Sequence, residues 1–449
     1  MLLAAAATLA AGLVLGAGSP AWADAVVPPA ISVGDAPGGV AFAPDGSKAY
    51  VVNSGSDSVS VINTATDTVV GTITVGSNPL FVAFSPDEAM AYVTNRFSNS
   101  VSVIDTDTDA VVDTIAVGSE PISVAFASDG GRAYVTNRAD GSVSIIDTSS
   151  GLVVATVAVG TSPSGIAISP DGSRAYVANQ GGSSVSVIDT VAGAVVGAPI
   201  DVGSFPSGIA VSPDGSLVYV ANQLENSVSV IDAATAAVTV TIALGLGTQP
   251  YIPAFSPDGT KIYVTNLNSD SISVIDPVTA AVVATIPMGN RPVLTAFSLT
   301  QPKAYVTNED DDSVTVIAVD AVAPAITSGL PSAATQNSAY SFTVTASGYE
   351  APTFAVTVGE LPAGLDLDPV SGTVSGTPTT SGSFAFTVTA SNSAGSDAAA
   401  YTLEIESAPT IDNELAATGV DARMGGLLGG LLLLGGAVFV AARRRRQTA

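Results

Sequence analysis

The chain has no cysteine and no histidine. The first absence excludes disulfide staples, thiolate nucleophiles and thiolate metal ligands. The second excludes Ser-His-Asp and Cys-His catalysis and imidazole-bound metal. Tryptophan occurs once, at Trp22, in a stretch expected to be removed, so the mature chain has no indole face for stacking on sugar rings. Positive charge is scarce: 13 Lys and Arg stand against 39 Asp and Glu, a net of −26. Such a surface repels nucleic acid and anionic lipid, so no nucleic-acid partner is expected. Most of the acids are solvated turn residues and point to no specific acidic function.

What the chain does have is one stretch written seven times. Its clearest copy runs from Glu120-Pro121 through a Ser-Asp-Gly-Gly turn to Ala133-Tyr134-Val135-Thr136-Asn137, then Val143-Ser144-Ile145-Ile146-Asp147 and Val157-Ala158-Val159-Gly160. The anchoring tyrosines are Tyr50, Tyr92, Tyr134, Tyr176, Tyr219, Tyr263 and Tyr305, at intervals of 42, 42, 42, 43, 44 and 42. A repeat of about 40–45 residues is the length of four short strands with their turns, and a ring of such units is a β-propeller. The runs are β-branched, aromatic and alternating, and Pro-Asp-Gly and Asn/Asp/Ser/Gly clusters between them supply turn dihedrals. In the fourth copy the expected strands are 166–169, 175–178, 184–189 and 195–202, and helices have no place. Each blade is apolar on both faces and needs its neighbours to cover them.

The two ends of the array imply closure. The seventh copy stops after 314–319 without its outer strand, and the missing piece stands at the other end as Ala30-Ile31-Ser32-Val33-Gly34. The expectation is that 31–34 pairs beside 314–319 and leaves no open edge there.

Tyr92-Val93-Thr94-Asn95, Tyr134-Val135-Thr136-Asn137, Tyr263-Val264-Thr265-Asn266 and Tyr305-Val306-Thr307-Asn308 resemble the signature of the YVTN family of β-propeller repeat proteins, which are common on microbial surfaces. Asn53, Asn179 and Asn222 end near-matches. The resemblance covers about residues 30–320 and implies a seven-bladed propeller; it does not imply an activity, because propellers host unrelated functions.

The termini carry addressing signals. Residues 2–18 are apolar and lead to Pro20 and Ala21-Trp22-Ala23, a small-x-small site, so residues 1–23 are expected to be a signal peptide cleaved before Asp24. No Lys or Arg precedes the apolar run, which is the alternative's argument for a start codon further upstream. At the other end, residues 425–442 are apolar and long enough to span a bilayer, and Arg443 to Arg446 would hold that end in the cytoplasm. Just before stands Leu415-Ala416-Ala417-Thr418-Gly419. The arrangement, over 415–449, resembles the cell-wall sorting signal of Gram-positive bacteria, and Ala416 in place of Pro resembles the variant used by class E sortases of high-GC actinobacteria. It implies sortase and peptidoglycan as partners, cleavage between Thr418 and Gly419, and membrane contact only through the transient C-terminal segment. Processing would leave eight basic against 38 acidic residues. The competing reading is a plain transmembrane anchor.

After Pro324 the period breaks. Seven short strands are expected at 324–328, 339–347, 353–358, 364–368, 373–377, 383–392 and 399–406, which suggests a small β-sandwich. The stretch from Leu361-Pro362-Ala363-Gly364-Leu365 through Gly376-Thr377-Pro378 to Phe384-Ala385-Phe386-Thr387-Val388 resembles the Ig-like domains of bacterial surface proteins. Such modules are spacers or adhesion units. Residues 407–414 would link it to the wall.

Candidate chemistry is sparse. Asp105, Asp107 and Asp109 occupy three calcium-loop positions, but Ala110 and Ala116 stand where such a loop needs Gly and Glu, so turn formation is the better account. The signature Asn is expected to bond its own loop backbone, an architectural role because it is needed seven times. Functional residues are expected where the copies differ, in the loops after each signature and before each inner strand: Arg96, Phe97, Glu120, Arg138, Gln223, Glu225, Tyr251 and Arg291. Arg96 and Arg138 beside Phe97 and Glu120 suit a carboxylate or sugar, against the plainer reading that these cations balance neighbouring acids. The expected whole is an all-β surface protein: a seven-bladed propeller over residues 24–320, an Ig-like sandwich over 324–406 and a C-terminal transmembrane sorting helix. It is expected to be monomeric, without cofactor or metal, and to bind a protein or glycan without catalysis. The alternative is a His-independent, metal-assisted hydrolase or lactonase at the channel mouth using Glu120 and Glu225.

Overall fold

The computed structural model describes residues 24–408. The expected signal peptide, the sorting residues 415–419 and the span 425–442 lie outside them.

Seven blades follow one another around a ring, with inner strands Pro37–Phe42, Pro79–Phe84, Pro121–Phe126, Pro163–Ile168, Pro206–Val211, Pro250–Phe255 and Pro292–Phe297. Each begins an antiparallel blade of four strands, consecutive in sequence in blades 1 to 6, and the blades are numbered 1 to 7 in the order of their inner strands. Period-2 alternation in Tyr-Val-Thr-Asn and Ser-Val-Ser-Val-Ile puts side chains on both faces of a blade, and nearly all are buried. Tyr50, Val52, Val59 and Val61 of blade 1 share one core with Val82, Val93 and Ile104 of blade 2. Burying one Val or Ile side chain contributes about 1.5–3 kcal/mol, which no blade gains alone.

Blade 7 is completed by the N-terminal strand. Its outer strand is Ala25–Ser32, antiparallel to Ser313–Ala318, with Ile31 opposite Val314 and Val26 opposite Ile317. The strand is longer toward the N-terminus than 31–34, and its register shifts between Val27 and Ile31. Asp24, one residue before it, is buried against the Lys261 ammonium at 3.1 Å and the Tyr263 hydroxyl of blade 6. Asp109 of blade 2 meets Lys48 and Tyr50 of blade 1 in the same way, and Asp67 of blade 1 meets Lys303 and Tyr305 of blade 7. Burial and then the bonded carboxylate push the Tyr50, Tyr263 and Tyr305 hydroxyls up, so all three stay protonated donors.

Three expectations need correction. The outer strand of blade 4, expected over 195–202, is split into Ala194–Val195 and Ile200–Asp201, because Pro199 cannot donate to the ladder. Two single turns of 3-10 helix, Gln180–Gly182 and Glu309–Asp311, follow the signatures of blades 4 and 7. The sandwich has nine strands in three sheets: the expected 339–347 strand is two, Tyr340–Thr343 and Ala346–Tyr349, and Ala334–Thr335 adds a short parallel one. Its core gathers Val344, Phe354, Phe386, Val388, Tyr401 and Leu403.

The sandwich docks on blade 7. Tyr349 is 2 % exposed, packs with Val306 and Ile317 of that blade, and its hydroxyl donates to the Gln301 and Lys303 carbonyls at 3.0 and 3.2 Å. Those carbonyls lie at the start of strand Lys303–Asn308, so the docking site is on the face of the ring opposite the signature loops.

Candidate functional site: the channel mouth

The signature residues build the ring. In all seven blades the Asn Nδ2 donates to two hydroxyls on the third strand, as Asn137 does to Ser142 at 3.1 Å and Ser144 at 2.9 Å. This corrects the expected bond to loop backbone. The spacing Asn-x4-Ser-x-Ser places both hydroxyls directly across the hairpin, on one face. Only in blade 4 does a backbone group, Gly160 N–H at 3.0 Å, bond the Asn oxygen as well. The Thr reaches between blades: Thr94, Thr136, Thr265 and Thr307 donate to the carbonyls of Ile122, Ser164, Val293 and Gly38 in the next inner strand, at 2.6–2.8 Å.

The residue after each signature Asn has a different task. Ser54, Arg96, Arg138, Gln180, Gln223, Leu267 and Glu309, one from each blade, line a single cavity of about 350 Å³ at the channel mouth. Their backbone is pinned by the residue before each inner-strand proline: the Ala36, Asn78, Glu120, Ser162, Phe205, Gln249 and Arg291 carbonyls accept their amides at 2.9–3.2 Å. Those seven residues all have φ between 49° and 61°, left-handed backbone held by that bond. In five blades their own amides also donate to an Asp or Asn of the preceding blade, as Asn78 N does to Asp57 at 2.7 Å. A fixed frame thus aims seven dissimilar side chains at one axis.

Their charges do not cancel. Arg96 is 3.1 Å from Glu120 and lies over the Phe97 ring, and Arg291 Nε donates to Glu309 at 2.7 Å. Arg138 forms neither an ion pair nor a side-chain hydrogen bond among the described residues, and lines both the mouth and a groove running outward past Asp140 and Ser162. The plainer reading of the arginines therefore holds for two of them and fails for the third. Tyr251 stands in the mouth within reach of all three arginines and Glu309; burial pushes its hydroxyl up, with Glu309 adding to burial and the arginines opposing.

Of the residues singled out in the sequence, Arg96, Arg138, Gln223, Tyr251 and Arg291 meet in the mouth. Glu120 flanks it, occupied by Arg96. Phe97 is 63 % exposed on the outer surface, and Glu225 is turned outward to Ser204 at 2.9 Å, because only the first residue after the Asn points at the axis. Glu120 and Glu225 therefore do not form a joint site. Ser54, Leu267 and the channel floor were not anticipated from the sequence, although counting one residue past each Asn would have found the first two. Among the described residues no group of three Asp or Glu is placed to hold a metal ion.

Below the mouth the channel narrows to a cavity of about 200 Å³ lined by Phe81, Val82, Val124, Ile166, Ile209, Ile252 and Leu294, with the Ser123, Ser164 and Ser207 side chains among them. Glycines keep it slender: a Cβ on Gly208 would stand 2.6 Å from the Tyr251 carbonyl, and one on Gly165 2.7 Å from that of Ser207. Phe81, Ser164 and Tyr251 line both cavities, so the two adjoin.

Comparison with known families agrees with this architecture. Residues 34–193 match the family described as lactonase, 7-bladed β-propeller, residues 208–311 match the YNCE-like β-propeller, and residues 323–406 match the family described as "Putative Ig domain". No curated protein sequence matches the chain. Among solved structures, hydrazine synthase of Kuenenia stuttgartiensis is similar at 26% identity, covering 64% of this chain and 96% of that one with a TM-score of 0.59. The chain is thus similar to seven-bladed propellers over its ring and to Ig-like domains over its C-terminal sandwich.

Proposed function

We propose that this is a non-enzymatic surface-borne binding module, an adhesion or envelope component whose ligand-contacting part is the channel mouth. The observation that carries the reading is Arg138: a cation without a partner among the described residues, in a ring of seven dissimilar side chains, on a chain of net charge −26. A lone arginine held by rigid backbone suits a carboxylate, which it engages through two parallel N–H donors. The docked sandwich supports the reading, since it occupies the opposite face and leaves the mouth open toward whatever lies beyond the C-terminal tail. Sortase-mediated attachment through Thr418 belongs to the same proposal and rests on the sequence of 415–449 alone. Mass spectrometry of wall digests for a Thr418–peptidoglycan peptide tests the anchoring, with unprocessed membrane-bound chain as the contrary result. A glycan and protein binding screen with wild type and Arg138→Ala tests the mouth; equal binding by both would refute it.

The match of residues 34–193 to the lactonase family favours a second reading, a hydrolase at the same mouth. Glu309 is the carboxylate lining it, held by Arg291 Nε at 2.7 Å. Lactone hydrolysis by the wild type that disappears in Glu309→Gln would establish that reading; no turnover above buffer is expected.

A further inference from the structure

We propose that the ligand of the mouth is an anionic amphiphile: a carboxylate headgroup on Arg138 with an apolar chain running down the axial channel. This rests on the mouth being the binding face and goes beyond it by assigning the chemical class. Two independent features meet here. The first is the unpaired Arg138 guanidinium at the rim, with Tyr251 beside it as a hydroxyl donor. The second is the channel beneath, whose wall is mainly aliphatic and aromatic and which adjoins the mouth at Phe81, Ser164 and Tyr251.

Of the three serine hydroxyls on the wall, that of Ser207 is occupied and those of Ser123 and Ser164 are left to water or ligand. Ser207 donates its hydroxyl to the Tyr251 carbonyl at 2.6 Å, and the Ser164 carbonyl accepts from Thr136 at 2.7 Å. Water in such a channel has few partners, and an alkyl chain that displaces it gains the hydrophobic term. A flat sugar would gain little: no Trp is present in the described chain, and Phe97 faces outward. A polyanion would meet Glu309 and Glu120 at the rim. One negative charge on a slender apolar tail matches both Arg138, the cation of the mouth left unpaired among the described residues, and the narrow bore.

The test is titration of the purified full chain by calorimetry with acetate, butanoate, hexanoate and octanoate below their aggregation limits, against 1-octanol and octanedioate. Each added methylene is expected to tighten binding about threefold to fourfold until the channel is full. The alcohol should bind at least about tenfold more weakly than octanoate, the loss of a charge-assisted bond. Octanedioate, which would bury a second charge, should bind no better than butanoate. Arg138→Ala should reduce octanoate to the level of octanol. A flat series in which acetate binds as well as octanoate overturns the amphiphile and leaves the anion-binding mouth standing. Octanedioate equal to octanoate likewise removes the chain from the channel. Failure of every carboxylate overturns both proposals together.

Discussion

The seam between blades 7 and 1 is heavily clasped, while that between blades 4 and 5 is nearly bare. Between blades 7 and 1, Phe42 packs on Tyr305 at 4.5 Å, Thr307 donates to the Gly38 carbonyl at 2.6 Å and Asp312 accepts the Ala36 amide at 2.8 Å. The Asp67 carboxylate adds the Lys303 ammonium at 2.8 Å and the Tyr305 hydroxyl. Between blades 4 and 5 the corresponding residues are Val211, Ala178, Ser183 and Ala236, and none of the four contacts forms. That seam relies on an apolar cluster of Tyr176, Val185, Ile209, Val220 and Ile231. The backbone crosses both seams, from an outer strand to the next inner one, so side chains crossing from blade to blade are what distinguish them.

The largest expected effect comes from cutting the carboxylate clasp of this seam. Asp67→Ala leaves the buried Tyr305 hydroxyl without its acceptor and Lys303 with the Thr64 carbonyl alone, and should lower stability by about 2 kcal/mol, read from the denaturant midpoint of the propeller transition. The pair is partly solvated, with side-chain exposures of 16% and 32%, so the full buried-pair penalty is not expected. Thr307→Val keeps the shape and removes one hydroxyl; it should cost about 1 kcal/mol. The converse change at the bare seam, Ala178→Thr, installs the donor that blades 2, 3, 6 and 7 carry and should raise stability by about 0.5–1 kcal/mol. If it destabilises instead, the seam is closed by tight packing and the comparison loses its force.

The smallest effect is acidic. The inner hairpins of blades 4 and 5 are held by Ser169 to Asp171 and Ser212 to Asp214, both at 2.5 Å, where blade 1 has Ala43. The serine hydroxyls and nearby amides hold both carboxyls down at about 2. A depressed carboxyl contributes stability above its unfolded value, lost as pH falls from about 4 toward 2. NMR titration of Asp171 and Asp214 should give midpoints near 2, and midpoints near 3.8 would contradict this.

The period of the tyrosines, the strand chemistry and the outer strand missing from the seventh copy were all legible, because they are local or repeat at fixed spacing. That Arg96 and Arg138 share one mouth was legible too, since unlike residues at one position of a repeat must converge on the axis, and Arg291 precedes an inner strand, in the loops that emerge on the same face. Which arginine remains free was not: Arg96 meets Glu120 and Arg291 meets Glu309 across 24 and 18 residues, and only the backbone path decides those meetings. The Thr clasp was hidden for the same reason, its acceptor being a carbonyl of the next blade. The docking of Tyr349 had no sequence signal, as a tyrosine ending a strand reads as part of its own sandwich.

Native-state amide hydrogen exchange on the full chain tests the comparison most directly. The account predicts that the inner strand Pro206–Val211, beside the bare seam, opens and exchanges faster than Pro37–Phe42, beside the clasped one. Slower exchange at Pro206–Val211 than at Pro37–Phe42 would show that the side-chain clasps do not decide where the ring gives way.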